Sequence, residues 1–362
     1  MRALLVQPTF PITYWGFQYS MRLAGRGASL PPLGLITVAA HLPAEWSLRL
    51  VDLNLRPLED DDLRWADVVL VSGMRVQAPS MHEILARARA LGRFTVVGGP
   101  AATTSPEAFE DADVIFRGEI EGRAEELVNQ IVTRDRGLIS LGLRPRPTLG
   151  TTAVPRFDLL ELDRYCSMSV QSSRGCPYHC EFCDVIELFG RVPRVKSPEQ
   201  VLAELDALHA LGWRGTVFFV DDNFIGNVRE VRRLLPRLRA WQDERGRPFD
   251  LYTEASVNLA LDPALIEEVV EAGFSAVFLG IETPSLDALR AAGKSQNLRL
   301  DLRDAVATLT RAGLEVMGGF IVGFDSDGPE IFAAQQQFLG DAPIPMAMIG
   351  VLTALPGTAL WT

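Results

Sequence analysis

Short apolar runs recur along the chain and alternate with segments whose apolar positions follow a helical repeat. In the first third, the runs at 3–7, 48–52, 68–72, 95–98 and 114–116 predict strands. Helical patterns at 33–42, 80–91 and 107–110 lie between them, and another at 121–132 follows the last. Strands apolar on both faces and joined by helices belong in a parallel sheet covered on both sides. The pattern therefore predicts a Rossmann-like, doubly wound α/β domain over residues 1–132. Ligands of such sheets bind beyond the carboxyl ends of the strands. Those ends carry Gln7 and Pro8, Ser72 and Gly73, Gly98 and Gly99, and Gly118 and Glu119.

Periodicity then lapses. Residues 133–160 hold Pro145, Pro147 and Pro155 together with Gly137, Gly142 and Gly150, and read as an interdomain linker. Alternation resumes with a longer spacing, giving strands at 169–173, 216–220, 250–255, 276–280, 315–322 and 347–352. Helical patterns at 198–211, 228–244, 263–272 and 300–312 fill gaps between them. Six βα units predict a partial (βα)6 barrel of the TIM type over 161–362, with chemistry at the carboxyl ends of its strands.

Composition narrows the class. A chain of 362 residues suits about two domains. With 48% hydrophobic and 22% charged residues, it can bury sizeable cores. Its 46 acidic and 35 basic residues give a net charge of −11, which argues against a general nucleic-acid binder. No run approaches the ~18 apolar residues of a membrane span. The apolar start ends at Pro8 and reads as a strand rather than a signal peptide, which predicts a cytoplasmic protein. The few cysteines agree with a reducing compartment.

Three of the four cysteines, Cys176, Cys180 and Cys183, share one loop, Cys-Pro-Tyr-His-Cys-Glu-Phe-Cys, directly after the first strand of the second domain. Three thiolates at spacings of four and three residues can reach three irons of a 4Fe-4S cluster, which normally calls for four cysteines. One iron is then left open to a small molecule. Zinc is the competing reading, but structural zinc sites are four-coordinate, and His179 beside Cys180 completes such a set only with awkward geometry. Cys166 reads as a small buried residue rather than a ligand.

This loop resembles that of the radical S-adenosylmethionine (SAM) superfamily, and Phe182 before its last cysteine fits the same pattern. The resemblance implies that the open iron chelates the amino and carboxylate groups of SAM, which one electron cleaves to a 5'-deoxyadenosyl radical. It implies an external one-electron reductant such as flavodoxin or ferredoxin. It also implies SAM contacts at the later strand ends. Asp221 or Asp222 would meet the amino group, although a helix-capping role is equally open. Glu254, Ser256 and Glu282 would serve its polar parts, with the alternative that the two glutamates pair with Arg174 or Lys294. Gly319, Ile321 and Gly323 match a Gly-x-Ile-x-Gly pattern that lets adenine approach the backbone, and Leu352 lies at the last strand end.

A Rossmann-like domain before such a barrel resembles the cobalamin-binding class of the superfamily, closest to the hopanoid C-2 methylase-like group. The stretches Pro31-Pro32-Leu33-Gly34, Val97-Gly98-Gly99-Pro100, Arg117-Gly118-Glu119, Ser173-Arg174-Gly175-Cys176 and Phe219 to Asn227 carry the likeness. Leu33, Gly34 and the strand-end residues of the first domain are then expected around cobalamin. None of His41, His82, His179 and His209 follows an aspartate at the spacing of an Asp-x-His motif, so cobalamin would bind without a histidine ligand. A Gly-x-Gly-x-x-Gly fingerprint is absent, which disfavours NAD. Relatives of that group carry an added C-terminal domain, expected here to be missing or truncated after Thr362. The resemblance predicts methyl transfer from methylcobalamin to an unactivated carbon of a small-molecule substrate. The alternatives are a cyclase, ring-contracting enzyme or oxidoreductase of the same class, or a non-catalytic iron-sulfur or cobalamin sensor.

Overall fold

The valine- and leucine-rich runs at 3–6, 68–71, 94–97 and 114–116 form strands buried on both faces, as the centre of a parallel sheet requires. The structure is a computed structural model and describes residues 1–13, 16–140 and 145–362. Gly142 of the expected linker lies outside the described residues. Residues 1–168 with 203–213 form one unit, and 169–202 with 214–362 another.

In the first unit the order is β1 (Arg2–Gln7), α1 (Gln18–Leu23), α2 (Leu33–Ala40), β2 (Ser47–Asp52), α3 (Asp60–Trp65), β3 (Val68–Ser72), α4 (Ala78–Ala90), β4 (Phe94–Gly98), α5 (Gly99–Thr104), β5 (Val114–Phe116), α6 (Ala124–Thr133) and β6 (Gly137–Ile139). The sheet runs β2-β1-β3-β4-β5-β6 with every pairing parallel. Strand order reverses at β1, so the crevice between the carboxyl ends of β1 and β3 is the expected ligand position. Two cores cover the faces, one built on Leu4, Val6, Val69, Met81 and Phe109, the other on Ala3, Leu70, Val96, Leu127 and Ile131. The doubly wound expectation holds. The edge strand β6 falls in the stretch read as linker: three residues are too few to display alternation, and pairing to β5 alone defines it.

From residue 167 onward the elements are β7 (Ser167–Val170), β8 (Ser173–Arg174), α7 (Val185–Leu188), β9 (Arg194–Val195), α8 (Pro198–Ala210), β10 (Thr216–Phe219), α9 (Val228–Glu244), β11 (Asp250–Ala255), α10 (Pro263–Glu271), β12 (Phe274–Glu282), α11 (Leu286–Ala291), α12 (Leu302–Arg311), β13 (Glu315–Val322), α13 (Glu330–Asp341) and β14 (Met346–Val351); all belong to the second unit except residues 167–168 of β7 and 203–210 of α8. Its main sheet is sequential, β7-β10-β11-β12-β13-β14, the order of a partial (βα)6 barrel. Helix starts are fixed by side chains that accept otherwise unpaired backbone N–H groups: Asn227 from Glu230, Asp262 from Leu265, and Asp301 from Arg303 and Asp304. Buried Phe219, Phe224 and Phe274 meet at centroid distances of 5.0–5.9 Å beneath the strand ends.

The strand expected at 169–173 instead stops at Val170, and Ser173 and Arg174 pair antiparallel with β9. The cysteine loop leaves from this hairpin. Among the described residues no helix is long and apolar enough to cross a membrane.

Truncating Phe274 to alanine removes the centre of the aromatic group. The expected cost is about 3–5 kcal/mol, read as a lowered urea midpoint for the transition of the second unit.

Candidate functional site

The loop between β8 and α7 is held at both ends before any ligand is considered. Asp221, just beyond β10, is buried and accepts hydrogen bonds from the Ser172 N–H at 2.8 Å, the Ser172 hydroxyl at 2.6 Å and the Ser173 N–H. Asp222 accepts from the Gly175 N–H at 2.6 Å. Gly175 has φ +101°, and a Cβ there would lie 2.8 Å from the Gly190 carbonyl oxygen, to which Cys176 donates its N–H at 3.1 Å. Only glycine fits this entry. On the far side, Glu181 N–H donates to Ala292 O at 3.1 Å, and the Tyr178 hydroxyl donates to Asn258 at 2.9 Å.

These bonds place Cys180 inside and leave Cys176 and Cys183 half-buried, all three as free thiols. Burial, with Cys180, Asp184 and Cys176 beside it, pushes the Cys183 thiol up to about 12; burial also raises Cys176. Binding iron here must therefore displace protons. Two amide donors reach the sulfurs: Asn223 Nδ2 lies 3.9 Å from Cys176 Sγ, and Gln296 Nε2 lies 3.7 Å from Cys180 Sγ. Among the described residues no three His, Cys, Asp or Glu side chains converge on a single-ion geometry. A cubane instead asks for thiolates at separate irons, and three mutually sensed thiols on one loop fit that donor set. Buried Gln296 Oε1 and Asn297 Oδ1 have no hydrogen-bond partner among the described residues. Cys166, expected to be buried, is only half-buried, with its Sγ 3.0 Å from Met21 Sδ.

The remaining strand ends converge unevenly. Phe182, Ile321 and Leu352 pack together against Ala288, Ala292 and Phe324. Gly323 (φ +98°) donates its N–H to Asp327 at 2.8 Å. At Gly319 the space of a Cβ is taken by the Phe278 ring, whose Cζ would lie 2.7 Å away, so that glycine already has a packing reason. Ser256 bonds Asn223 through both N–H and hydroxyl. Neither aspartate caps a helix: both hold backbone of the cysteine loop. Glu282, left-handed at φ +66° where β12 and β13 slip register, is buried in an ion pair with Lys294. That pairing was one of the two readings open from sequence. Burial, then the charges of Asp222 and Asp221, raise Glu254 to about 7; burial raises Asp221 and Asp222 to about 6 against the bonds they accept.

In the first unit, Gln77 ties the two strand ends of the crevice, donating to Pro8 O at 2.7 Å and accepting from the Met74 N–H at 2.9 Å. Gly99 (φ +83°) lies against Ser72 and Gly73, where a Cβ would come within 2.3 Å of Ser72 Oγ. Gly118 donates its N–H to Thr103 Oγ1 at 3.0 Å. Leu33 and Gly34 open α2, with nothing within 4 Å of a Cβ at Gly34. Gln7 ends β1, and Glu119 follows Gly118 beyond β5. His41 accepts from the Ala153 N–H at 3.5 Å, and His82 stacks on Phe109.

Gln77, Asn223 and Gln296 were not singled out from sequence. Gln296 lies 116 residues from Cys180, and no periodicity marks it.

The radical SAM superfamily profile matches residues 170–334, and the B12 binding domain profile matches 19–128. An uncharacterized methyltransferase of Synechocystis sp. is 48% identical over 362 residues, covering 100% of this chain and 68% of the relative. The hopanoid C-2 methylase of Rhodopseudomonas palustris is 40% identical over 364 residues, covering 99% and 69%. The structure of the radical SAM methyltransferase TsrM from Kitasatospora setae, with cobalamin and 4Fe-4S cluster bound, superposes with a TM-score of 0.75 at 17% identity, covering 99% and 73%. The chain is thus a radical SAM protein with a B12-binding domain. It belongs to the family of methyltransferases that includes the hopanoid C-2 methylase. Its cofactors are a 4Fe-4S cluster, SAM and cobalamin.

Two outcomes follow from this geometry. Gly175→Ala forces the loop entry off the Gly190 carbonyl and should cut the iron bound per chain several-fold after anaerobic reconstitution, measured by iron and sulfide assay. Asp221, Asp222 and Glu254 hold their protons more tightly folded than unfolded, so their contribution is full below about pH 4 and is lost as the pH rises through about 6 to 7. Glu254→Gln should therefore flatten the loss of stability on going from about pH 5 to 8, leaving the variant about 1–3 kcal/mol more stable at the upper end, as followed by urea titration.

Proposed function

We propose that this protein is a cobalamin-dependent radical SAM enzyme that methylates an unactivated carbon of a small molecule. The observation that carries the reading is the three-thiol loop, braced by Asp221 and Asp222, in a chain whose only other cysteine, Cys166, precedes the first barrel strand. When bound, the cluster supplies the electron that cleaves SAM, and cobalamin supplies the methyl group.

Within this reading each residue has a task. Cys176, Cys180 and Cys183 hold three irons, and the loop offers no fourth thiolate. Phe182, Ile321, Leu352 and Gly323 form the apolar wall for adenine. Glu254 receives the polar part of SAM: a carboxyl near neutrality in its titration can hold or release a proton at its free oxygens. The strand ends of the first unit, Gln7 and Pro8, Ser72 and Gly73, Gly98 and Gly99, and Gly118 and Glu119, with Leu33 and Gly34, take cobalamin. The division proposed is 1–132 for that domain, 133–160 for the linker and 161–362 for the barrel. A cytoplasmic setting with a flavodoxin- or ferredoxin-like electron donor suits reduced thiols. A polycyclic lipid of the hopanoid kind is the first substrate to try, because a 40% identical relative bears that name.

The test is anaerobic reconstitution with SAM, cobalamin, a one-electron reductant and candidate substrates, with products followed by mass spectrometry. Both 5'-deoxyadenosine and S-adenosylhomocysteine should accumulate with a methylated product, and Cys180→Ala should abolish the cluster and all three products. Appearance of 5'-deoxyadenosine without S-adenosylhomocysteine would sink methyl transfer in favour of another radical outcome.

A further inference from the structure

The segment after α11 forms a floor under the cysteine loop. A Cβ at Gly293 would lie 2.6 Å from His179 O, and Ala292 O accepts the Glu181 N–H, so the two backbones touch. Asn297 stitches this floor to the end of β12, donating Nδ2 to Gly280 O and Ile281 O at 3.0 Å each. From the floor rise two side chains that the assigned chemistry does not use. Gln296 is buried and spends its amide donor on Cys180 Sγ. Lys294 is buried too, paired with Glu282, with its ammonium 5.9 Å from the centre of the Phe182 ring.

The ammonium faces the ring of Phe182, the residue between Glu181 and Cys183 on the cysteine loop. Burial works to neutralise it, but Glu282 and then Cys180 and Cys183 outweigh that and hold it above the ordinary lysine range. Cys176 senses the same cation. One buried positive charge thus acts on all three thiols, and two amides, from Gln296 and from Asn223 beyond β10, donate to two of them. The buried ion pair with Glu282 fixes the ammonium in place.

We infer that Lys294, Gln296 and Asn223 set the reduction potential of the cluster, as positioning residues that stabilise its reduced state. One electron, delivered by an external one-electron donor, makes the cluster and its thiolates one charge more negative. A fixed cation and N–H donors at the sulfurs favour that state over the oxidised one. Low dielectric around the buried lysine strengthens the effect. The inference rests on the proposed cluster site.

The test is a redox titration of the full chain, reconstituted anaerobically and followed by electron paramagnetic resonance. Lys294→Met combined with Glu282→Gln, which leaves no unpaired buried charge, should lower the midpoint by at least 59 mV, a tenfold shift in a one-electron equilibrium. Gln296→Met should lower it in the same direction by less, and Lys294→Arg should restore most of the shift. Wild-type midpoints in both the double variant and Gln296→Met, at full iron content, would overturn the inference. So would loss of iron from both, since the residues would then hold the cluster rather than tune it. Failure of the unaltered chain to bind iron would instead overturn the cluster reading itself.

Discussion

Two adjacent carboxylates at the end of β10 govern the second unit. Asp221 draws the backbone of Ser172 and Ser173 away from the sheet, and Asp222 takes the next free N–H, at Gly175. Strand β7 therefore ends early, and the chain turns into the hairpin from which the cysteines project. Both acids sit where water is scarce, and burial would favour their neutral forms. The bonds they accept offset that cost, so the loop and the acids need each other: without the N–H groups the charges are stranded, and without the charges the loop has no anchor.

The barrel and the doubly wound sheet share one principle. In each, strand ends carry small or polar residues. In the first unit strand order reverses between β1 and β3, and Gln77 bridges Pro8 and Met74 there. In the second, β12 slips register and Glu282 takes a left-handed conformation to meet Lys294. That conformation costs free energy in a non-glycine residue, and the buried ion pair is what holds it.

Most of the strand pattern was legible because parallel strands buried on both faces are continuous apolar runs. The runs at 68–72, 114–116, 250–255 and 315–322 match the observed strands end to end. What escaped was short or tertiary in origin. β6 exists only through its pairing with β5, and α5 begins at the glycine pair of a strand end. At the site, the cysteines announced themselves by spacing, whereas Gln296 and Asn223 reach them from distant parts of the chain. Glu282 and Lys294 are 12 residues apart, and their pairing was one of two readings until the bulge in β12 placed them face to face. Gly319 shows a limit of another kind: a glycine in a strand signals a close approach, but the neighbour here is Phe278.

The raised thiol of Cys183 has a consequence for the protein before it is loaded. Oxidation to sulfenic acid or a disulfide proceeds through the thiolate, not the thiol. A thiol pushed up to about 12 presents almost no thiolate at neutral pH. The burial that makes iron displace a proton at this position therefore also shelters the thiol from stray oxidants. Protonated, that sulfur is chemically quiet until iron arrives to take the proton's place.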